Sequence, residues 1–133
     1  MLLNEIKPVD VKAPDSDMEK HLRQVLVDLA HTFPGKFMKS SKGFKAKSPD
    51  KKHKHVELEA YVLHDKISNT VVVELVSDQS DYANELAAAI DKALTHGEHQ
   101  GFDVTSYPVS LDPAKPGDPT NLECHVWEVH FQS

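Results

Sequence analysis

One segment of the chain alternates between apolar and polar side chains with the period of two that a β-strand requires, and a segment rich in β-branched residues follows it. Residues 55–64 read HVELEAYVLH, residues 70–76 read TVVVELV, and the turn-like stretch DKISN lies between them. The apolar residues of the first segment fall on one face, at Val56, Leu58, Ala60 and Val62. β-Branched residues dominate the second segment. The pair is therefore predicted to form an antiparallel hairpin at the centre of a sheet.

The segment LECHVWEVHF, residues 122–131, is apolar on both of its faces. Three apolar side chains share each face, with Leu122, Cys124 and Val126 on one and Trp127, Val129 and Phe131 on the other. A strand of this kind lies in the middle of its sheet, or its second face meets something else. We expect it to pair beside the hairpin. Its second face would then be covered by the N-terminal arm, by the lysine-rich segment described below, or by another subunit.

Two other segments have helical periodicity. The first is predicted to begin near Ser16, in a capping box with Glu19, and to end at Pro34–Gly35. Its apolar stripe consists of Met18, Leu22, Val25, Leu26, Leu29 and Phe33. The second is predicted to run from about Tyr82 to His96, after the N-capping residues in SDQSD, and to stop at a left-handed Gly97.

The remaining strand-like segment, residues 102–111, is predicted to be an edge or bulged strand, because Pro108 cannot donate a ladder hydrogen bond. The order helix, strand, strand, helix, strand, strand predicts an α+β fold. Its antiparallel sheet would have about four strands, with both helices packed on one face. We expect an extended arm over residues 1–14 and a single domain over 15–133, with a lysine-rich loop at 34–54.

Composition excludes several classes of protein. No stretch approaches the roughly 20 apolar residues of a membrane span, so no membrane partner is predicted. The N-terminus resembles neither a signal peptide nor a transit peptide. The single cysteine, Cys124, excludes an internal disulfide and is compatible with a reducing cytosol.

Positive charge is concentrated in one segment, KFMKSSKGFKAKSPDKKHKH, at residues 36–55. It holds eight lysines and one acid, Asp50, whereas the rest of the chain holds seven basic residues against twenty acids. Gly43, the adjacent serines and Ser48–Pro49 argue against regular structure, so we predict a mobile loop. Such a division of charge indicates a surface that meets a complementary one.

Three interpretations of this segment stay open. It is a solvated loop, or it contacts an acidic protein surface such as another copy of the chain, or its lysines contact nucleic-acid phosphates while two phenylalanines stack on bases. The acidic remainder and the lack of a known nucleic-acid-binding motif favour protein over nucleic acid. The candidate interaction residues are Lys36, Lys39, Lys42, Lys45, Lys47, Lys51, Lys52, Lys54, Phe37 and Phe44.

Candidate catalytic and metal-binding groups do not combine into a site. Nine histidines include the pairs His53/His55 and His96/His99, and Glu–x–His occurs at 123–125 and 128–130, but no convincing third ligand for zinc accompanies any of them. Cys124 lies in a strand, where a buried small hydrophobe is expected rather than a nucleophile. The paired Glu57 and Glu59 share a strand face expected to be wet. We predict no enzyme, no cofactor and no metal.

The order and lengths of the elements resemble the tail-terminator, or tail-completion, proteins of long-tailed bacteriophages. The matching parts are MEKHLRQVLVDLAHTF, the hairpin at 55–76, YANELAAAIDKAL and the terminal LECHVWEVHFQ, which together cover most of the chain from Met18 onward. The resemblance implies a non-enzymatic ring, usually a hexamer, that caps the tail tube in the virion after assembly in the host cytoplasm. It carries no motif residues, and it does not explain the lysine-rich segment.

Two alternatives come from other classes. One is a small inhibitor or immunity-type protein whose acidic surface binds a single basic target. The other is a small cytosolic domain that binds a ligand between its sheet and helices. A ring former should assemble, either by itself or on its tail partner, whereas an inhibitor should stay small.

Overall fold

The computed structural model describes residues 13–49, 52, 56–64, 69–78, 80–97, 101, 103–110 and 122–131. It is an α+β fold of two helices and six strands within those residues. In chain order the elements are α1 (Ala13–Ala30), β1 (Met38–Lys39), β2 (Phe44–Lys47), β3 (Glu57–His64), β4 (Asn69–Ser77), α2 (Asp81–His96), β5 (Asp103–Ser110) and β6 (Glu123–Phe131).

All six strands form one antiparallel sheet in the order β1-β2-β3-β4-β6-β5. The predicted hairpin is the β3–β4 pair, in which Ala60 lies opposite Val73, and Val73 lies opposite Trp127 of β6. The prediction that these three strands form the centre of the sheet is confirmed. So is the prediction for β5, which carries the exposed Pro108 and forms one edge of the sheet.

The sheet has six described strands rather than about four, because the lysine-rich segment contributes β1 and β2. The prediction of irregular structure is therefore wrong for these residues. Phe44 and Ala46 alternate with Lys45 and Lys47, which gives β2 one apolar face that continues the apolar face of β3. A four-residue strand between lysines is too short for its alternation to stand out in the sequence.

Gly43 and the adjacent Ser40 and Ser41 do not interrupt regular structure but form the turn between β1 and β2. The Ser40 amide donates to the Gly43 carbonyl at 2.8 Å, and the Gly43 amide donates to the Ser40 hydroxyl at 3.2 Å. A Cβ at Gly43 would lie 2.3 Å from the Ala60 carbonyl oxygen of β3. Glycine is needed here because the turn approaches the neighbouring backbone closely.

Both helices pack on one face of the sheet, as predicted. α1 packs against β3 and β4, and α2 packs against β5 and β6. One apolar core joins the two helices. It includes the predicted α1 stripe, in which Leu26 alone is half-buried, and Leu86, Ile90 and Leu94 of α2. Trp127 is fully buried beneath α2, and its indole nitrogen donates to Asp91 Oδ1 at 3.1 Å.

The ends of the helices differ in part from the prediction. α1 begins at Ala13 rather than near Ser16, because Pro14 is well accommodated in a first turn. Residues 13 and 14 therefore belong to the helix, and the rest of the predicted arm lies outside the described residues. Across the described chain, neither helix combines the length and apolar character needed to cross a bilayer.

The second helix starts as expected and stops differently. The Ser80 hydroxyl caps α2 by accepting a hydrogen bond from the Ala83 amide at 3.1 Å. Gly97 has φ −78° and ψ 177°, an extended conformation, so the predicted left-handed stop is wrong. A Cβ at Gly97 would lie 2.3 Å from an Asp28 carboxylate oxygen, and close packing against α1 therefore explains the glycine.

Candidate interaction surface

The predicted interaction residues fall mainly on residues 36–47, which we call the basic hairpin. It contains five lysines and no acid, namely Lys36, Lys39, Lys42, Lys45 and Lys47. All are exposed except Lys45, which is half-buried. Lys52 is exposed in a turn beyond the hairpin, and Lys51 and Lys54 lie outside the described residues. The structure thus places five of the eight lysines on or beside one edge of the sheet.

The two phenylalanines of the basic hairpin do not extend into solvent. Phe37 and Phe44 are half-buried and pack against the main core. Because each ring keeps part of its surface accessible, their role as interaction residues stays a prediction. They hold the hairpin onto the domain, and the exposed Met38 is the apolar residue that the hairpin presents to solvent.

Three lysines of the basic hairpin contact the sheet face opposite the helices, which we call the outer face. Lys45 Nζ lies 3.7 Å from Glu57 Oε1, and Lys47 Nζ lies 3.6 Å from Glu57 Oε2. Lys42 Nζ lies 5.1 Å from the centre of the Tyr61 ring, within cation–π range. Exposed ion pairs of this kind each contribute about 0–1 kcal/mol, so they orient the lysines more than they stabilise the fold.

Charge is divided along the sheet. The opposite edge, formed by β5 and β6, contains Asp103, Glu123 and Glu128 and no lysine or arginine. Asp103 and Glu123 are exposed, and neither forms an ion pair within the described part of the chain. Likewise, Lys36 and Lys39 have no carboxylate partner among the described residues. The two edges of one sheet are thus oppositely charged, with unpaired charge on each.

The outer face has an apolar centre, as the two-sided pattern of β6 predicted. Val72, Cys124 and Val126 are buried there, and Tyr61 and Val76 pack against them. Leu63, Tyr107 and Val109 are large apolar residues of the same face that remain exposed. No helix covers this face in the described structure, and these three exposed residues leave apolar surface between the two charged edges.

Two tyrosine–glutamate pairs lie on the outer face. Tyr61 donates to Glu74 at 2.6 Å, and Tyr107 donates to Glu128 at 2.8 Å. Burial, followed by the hydrogen bond to Glu74, raises the pKa of Tyr61, whereas for Tyr107 the hydrogen bond to Glu128 is the main cause of a raised pKa. Glu74 is directly opposite Glu59. Two hydrogen bonds offset the repulsion between these carboxylates. Tyr61 donates one to Glu74, and the Ser40 hydroxyl donates the other to Glu59 at 3.0 Å.

Cys124 is buried in the apolar centre, as predicted. Burial, and then the nearby charge of Glu74, raise the pKa of its thiol to about 11. The thiolate that a nucleophile requires is therefore scarce at neutral pH. Its burial among Val72 and Val126 makes Cys124 a packing residue.

His130, whose Glu–x–His pair lacks a third zinc ligand in the sequence, has three polar neighbours in the structure. Its Nδ1 is 3.2 Å from the Thr70 hydroxyl, and its Nε2 is 3.4 Å from the Thr105 hydroxyl and 3.8 Å from Glu128 Oε1. The period-two pattern of β6 places His130 and Glu128 on one face, but the threonines could not be paired with them without the strand order. Among the described residues, no three His, Cys, Asp or Glu side chains converge on a metal position.

Comparison with known proteins adds no relative: no family model, curated protein or solved structure matches this chain.

Proposed function

We propose that this protein is a non-enzymatic assembly subunit that associates head to tail with copies of itself and closes into a ring. The observation that carries the proposal is the opposite charge on the two edges of the sheet. The basic hairpin of one copy would meet the β5–β6 edge of the next. Complementary edges of this kind select the partner and its orientation.

The two edges differ from each other, so contact between them is heterologous. A heterologous contact repeats from copy to copy and gives a closed ring when the rotation between neighbours closes, or a filament when it does not. The resemblance in element order to phage tail-terminator proteins favours the ring, and it suggests a place in a virion. On this proposal the protein acts through protein–protein contacts alone.

The β5 edge also supports association through its backbone. β5 has eight residues, and in the described sheet its outward backbone groups are not paired with another strand. Natural proteins usually protect such edges with lysines, prolines, bulges or a covering element. Here Pro108 is the one protective residue and Asp103 is the one charged residue of the strand. An edge of this length is suited to contact with a neighbouring subunit.

Light scattering coupled to size exclusion, at low and high salt, tests the proposal. We expect a discrete oligomer at low salt that dissociates as salt rises, because exposed charges are screened over about 8 Å at physiological ionic strength. Reversing charge in the basic hairpin with Lys36→Glu plus Lys39→Glu should abolish the oligomer. Lys20→Glu plus Lys92→Glu, a matched reversal of exposed lysines on the two helices, should leave it intact.

Other outcomes would exclude the ring. A monomer at every salt concentration would favour the inhibitor alternative. A dimer unaffected by the Lys36/Lys39 reversal would indicate contact through the apolar outer face. Tight binding of generic DNA by the wild type, lost in the reversed variant while self-association persists, would make the basic hairpin a phosphate-binding element.

A further inference from the structure

A cleft of about 410 Å³ lies between α1 and the basic hairpin. Glu19, Leu22 and Arg23 line it from α1, residues 39–44 line it from the hairpin, and Val62 of β3 completes it. This volume is in the range of about 300–1,000 Å³ that small-molecule sites occupy. The cleft exists because β1 and β2 extend the sheet past the end of the helix layer.

The floor of the cleft is apolar. Leu22 is buried there, and Phe44 and Val62 are half-buried members of the same surface. A ligand seated on this floor would remove apolar area from water, which contributes about 25 cal/mol per Å². The apolar part of a ligand would therefore face the sheet.

The rim of the cleft is polar and cationic. Arg23 on α1 and Lys39 on β1 are exposed at opposite walls, and neither forms an ion pair within the described residues. Ser41 adds a hydroxyl that has no hydrogen-bond partner among those residues. Lys42 also lines the cleft, but its ammonium group lies over Tyr61 on the outer face, so Arg23 and Lys39 are the two cations that a ligand would meet.

Glu19 is the one acid among the described residues that line the cleft. It lies one helical turn before Arg23, at the i, i+4 spacing at which a glutamate weakens the field of the following cation. Within the described part of the chain, the rim therefore has two cations without an ion pair, Arg23 and Lys39, opposed by one carboxylate. This arrangement makes a specific prediction, since removal of Glu19 should improve the binding of an anion.

We propose that this cleft binds an anionic group, a carboxylate or a phosphate, carried on a small apolar body. The guanidinium of Arg23 is suited to the anion because it presents paired donors in a fixed plane. Lys39 and Ser41 would complete its coordination from the hairpin, and Leu22, Phe44 and Val62 would receive the apolar body. The site does not depend on assembly into a ring.

Titration of the full chain with phenyl phosphate, followed by NMR, tests this site. We expect saturable shifts that centre on the lining residues, with Kd in the millimolar range. Arg23→Gln should weaken binding about tenfold, the effect of losing a hydrogen bond to a charged group. Glu19→Gln should tighten binding about threefold, the size of an exposed charge–charge effect. Lys20→Gln, an exposed neighbour outside the lining, is the matched control and should leave Kd unchanged.

Two further ligands separate the parts of the proposal. Inorganic phosphate and benzyl alcohol should each bind more weakly than phenyl phosphate, because each lacks one half of the ligand. Assembly measured with saturating phenyl phosphate then identifies the natural source of the anion. A smaller oligomer indicates an acidic, apolar segment of a neighbouring subunit, and an unchanged one indicates a free small molecule. Equal binding of phosphate and phenyl phosphate, or an Arg23→Gln variant that binds as well as the wild type, would overturn the proposal.

Discussion

Burial of the Cys124 thiol makes the fold sensitive to alkali. The pKa of this thiol is about 11 in the folded protein, against 9.0 for an unperturbed cysteine. Between these values the unfolded chain has lost the proton and the folded chain keeps it, so rising pH favours unfolding. Tyr61, whose pKa is also raised, acts in the same direction at higher pH. The stability due to Cys124 is complete below pH 9 and is lost as the pH rises towards 11.

Denaturation of the wild type and of Cys124→Ala across this pH range measures the effect. We expect the free energy of unfolding of the wild type to fall more steeply with pH, by up to about 1.4 kcal/mol per pH unit, the contribution of one titrating group. The smaller alanine side chain also lowers the free energy of unfolding, but this loss does not depend on pH and so does not affect the slope. Parallel pH dependences would show that Cys124 is not protonated differently in the two states.

The Tyr61–Glu74 bond should stabilise the fold more than its counterpart at Tyr107. Glu74 lies directly opposite Glu59, and Tyr61 is half-buried beside both, so Tyr61→Phe leaves a partly buried carboxylate short of a donor. We expect a loss of about 1–3 kcal/mol in urea denaturation. Tyr107→Phe removes the same chemistry from an exposed position and should cost less than half as much. An equal loss of stability in the two variants would contradict the claim that the Tyr61–Glu74 bond offsets the repulsion between Glu59 and Glu74.

Among the elements, the basic hairpin depends on its turn. Gly43→Ala would bring a methyl group to 2.3 Å from the Ala60 carbonyl oxygen and 2.9 Å from the Tyr61 Cα, and these β3 backbone atoms leave little room for relief. We expect it to lower the free energy of unfolding by about 1–3 kcal/mol, the usual cost of inserting a methyl group into a packed site. Ser41→Ala, in the same turn but exposed, is the control and should be neutral. A stable Gly43→Ala protein would mean that the hairpin does not pack on β3 as described.

The elements that the sequence predicted well are those in which periodicity and burial agree. β3 alternates over eight residues, β4 is rich in β-branched residues, and β6 is apolar on both faces. The helices α1 and α2 repeat their apolar residues over four turns or more. β1 and β2 could not be found in this way, because two and four residues leave no measurable period and lysine dominates both. Their strand pairing comes from Phe44 and Ala46 joining a core that other segments build. Tertiary contact, rather than local propensity, decides this hairpin.

The candidate surface was predicted in composition but not in shape. Counting lysines identified residues 36–54 as a site, but only the strand order shows that they lie at the edge opposite Asp103 and Glu123. The cleft beside Arg23 could not be predicted, since it requires the position of α1 relative to a hairpin that sequence reasoning did not expect. Sites formed between elements depend on topology, which a single sequence specifies weakly.

For the whole molecule, the central claim is that copies join basic edge to acidic edge. The most direct test is a mixing experiment with two variants, each unable to assemble alone. One carries Lys36→Glu and Lys39→Glu, so that the unpaired side chains described above are acidic on both of its edges. The other carries Asp103→Lys and Glu123→Lys, so that both of its edges are basic. Light scattering then gives the mass of each variant and of an equimolar mixture.

Each variant should be monomeric because it meets only like charge. The mixture should recover an oligomer of wild-type mass in which the two variants alternate, since every contact then joins opposite charges. An oligomer formed by either variant alone, or a mixture that stays monomeric at low salt while the wild type assembles, would contradict the head-to-tail account.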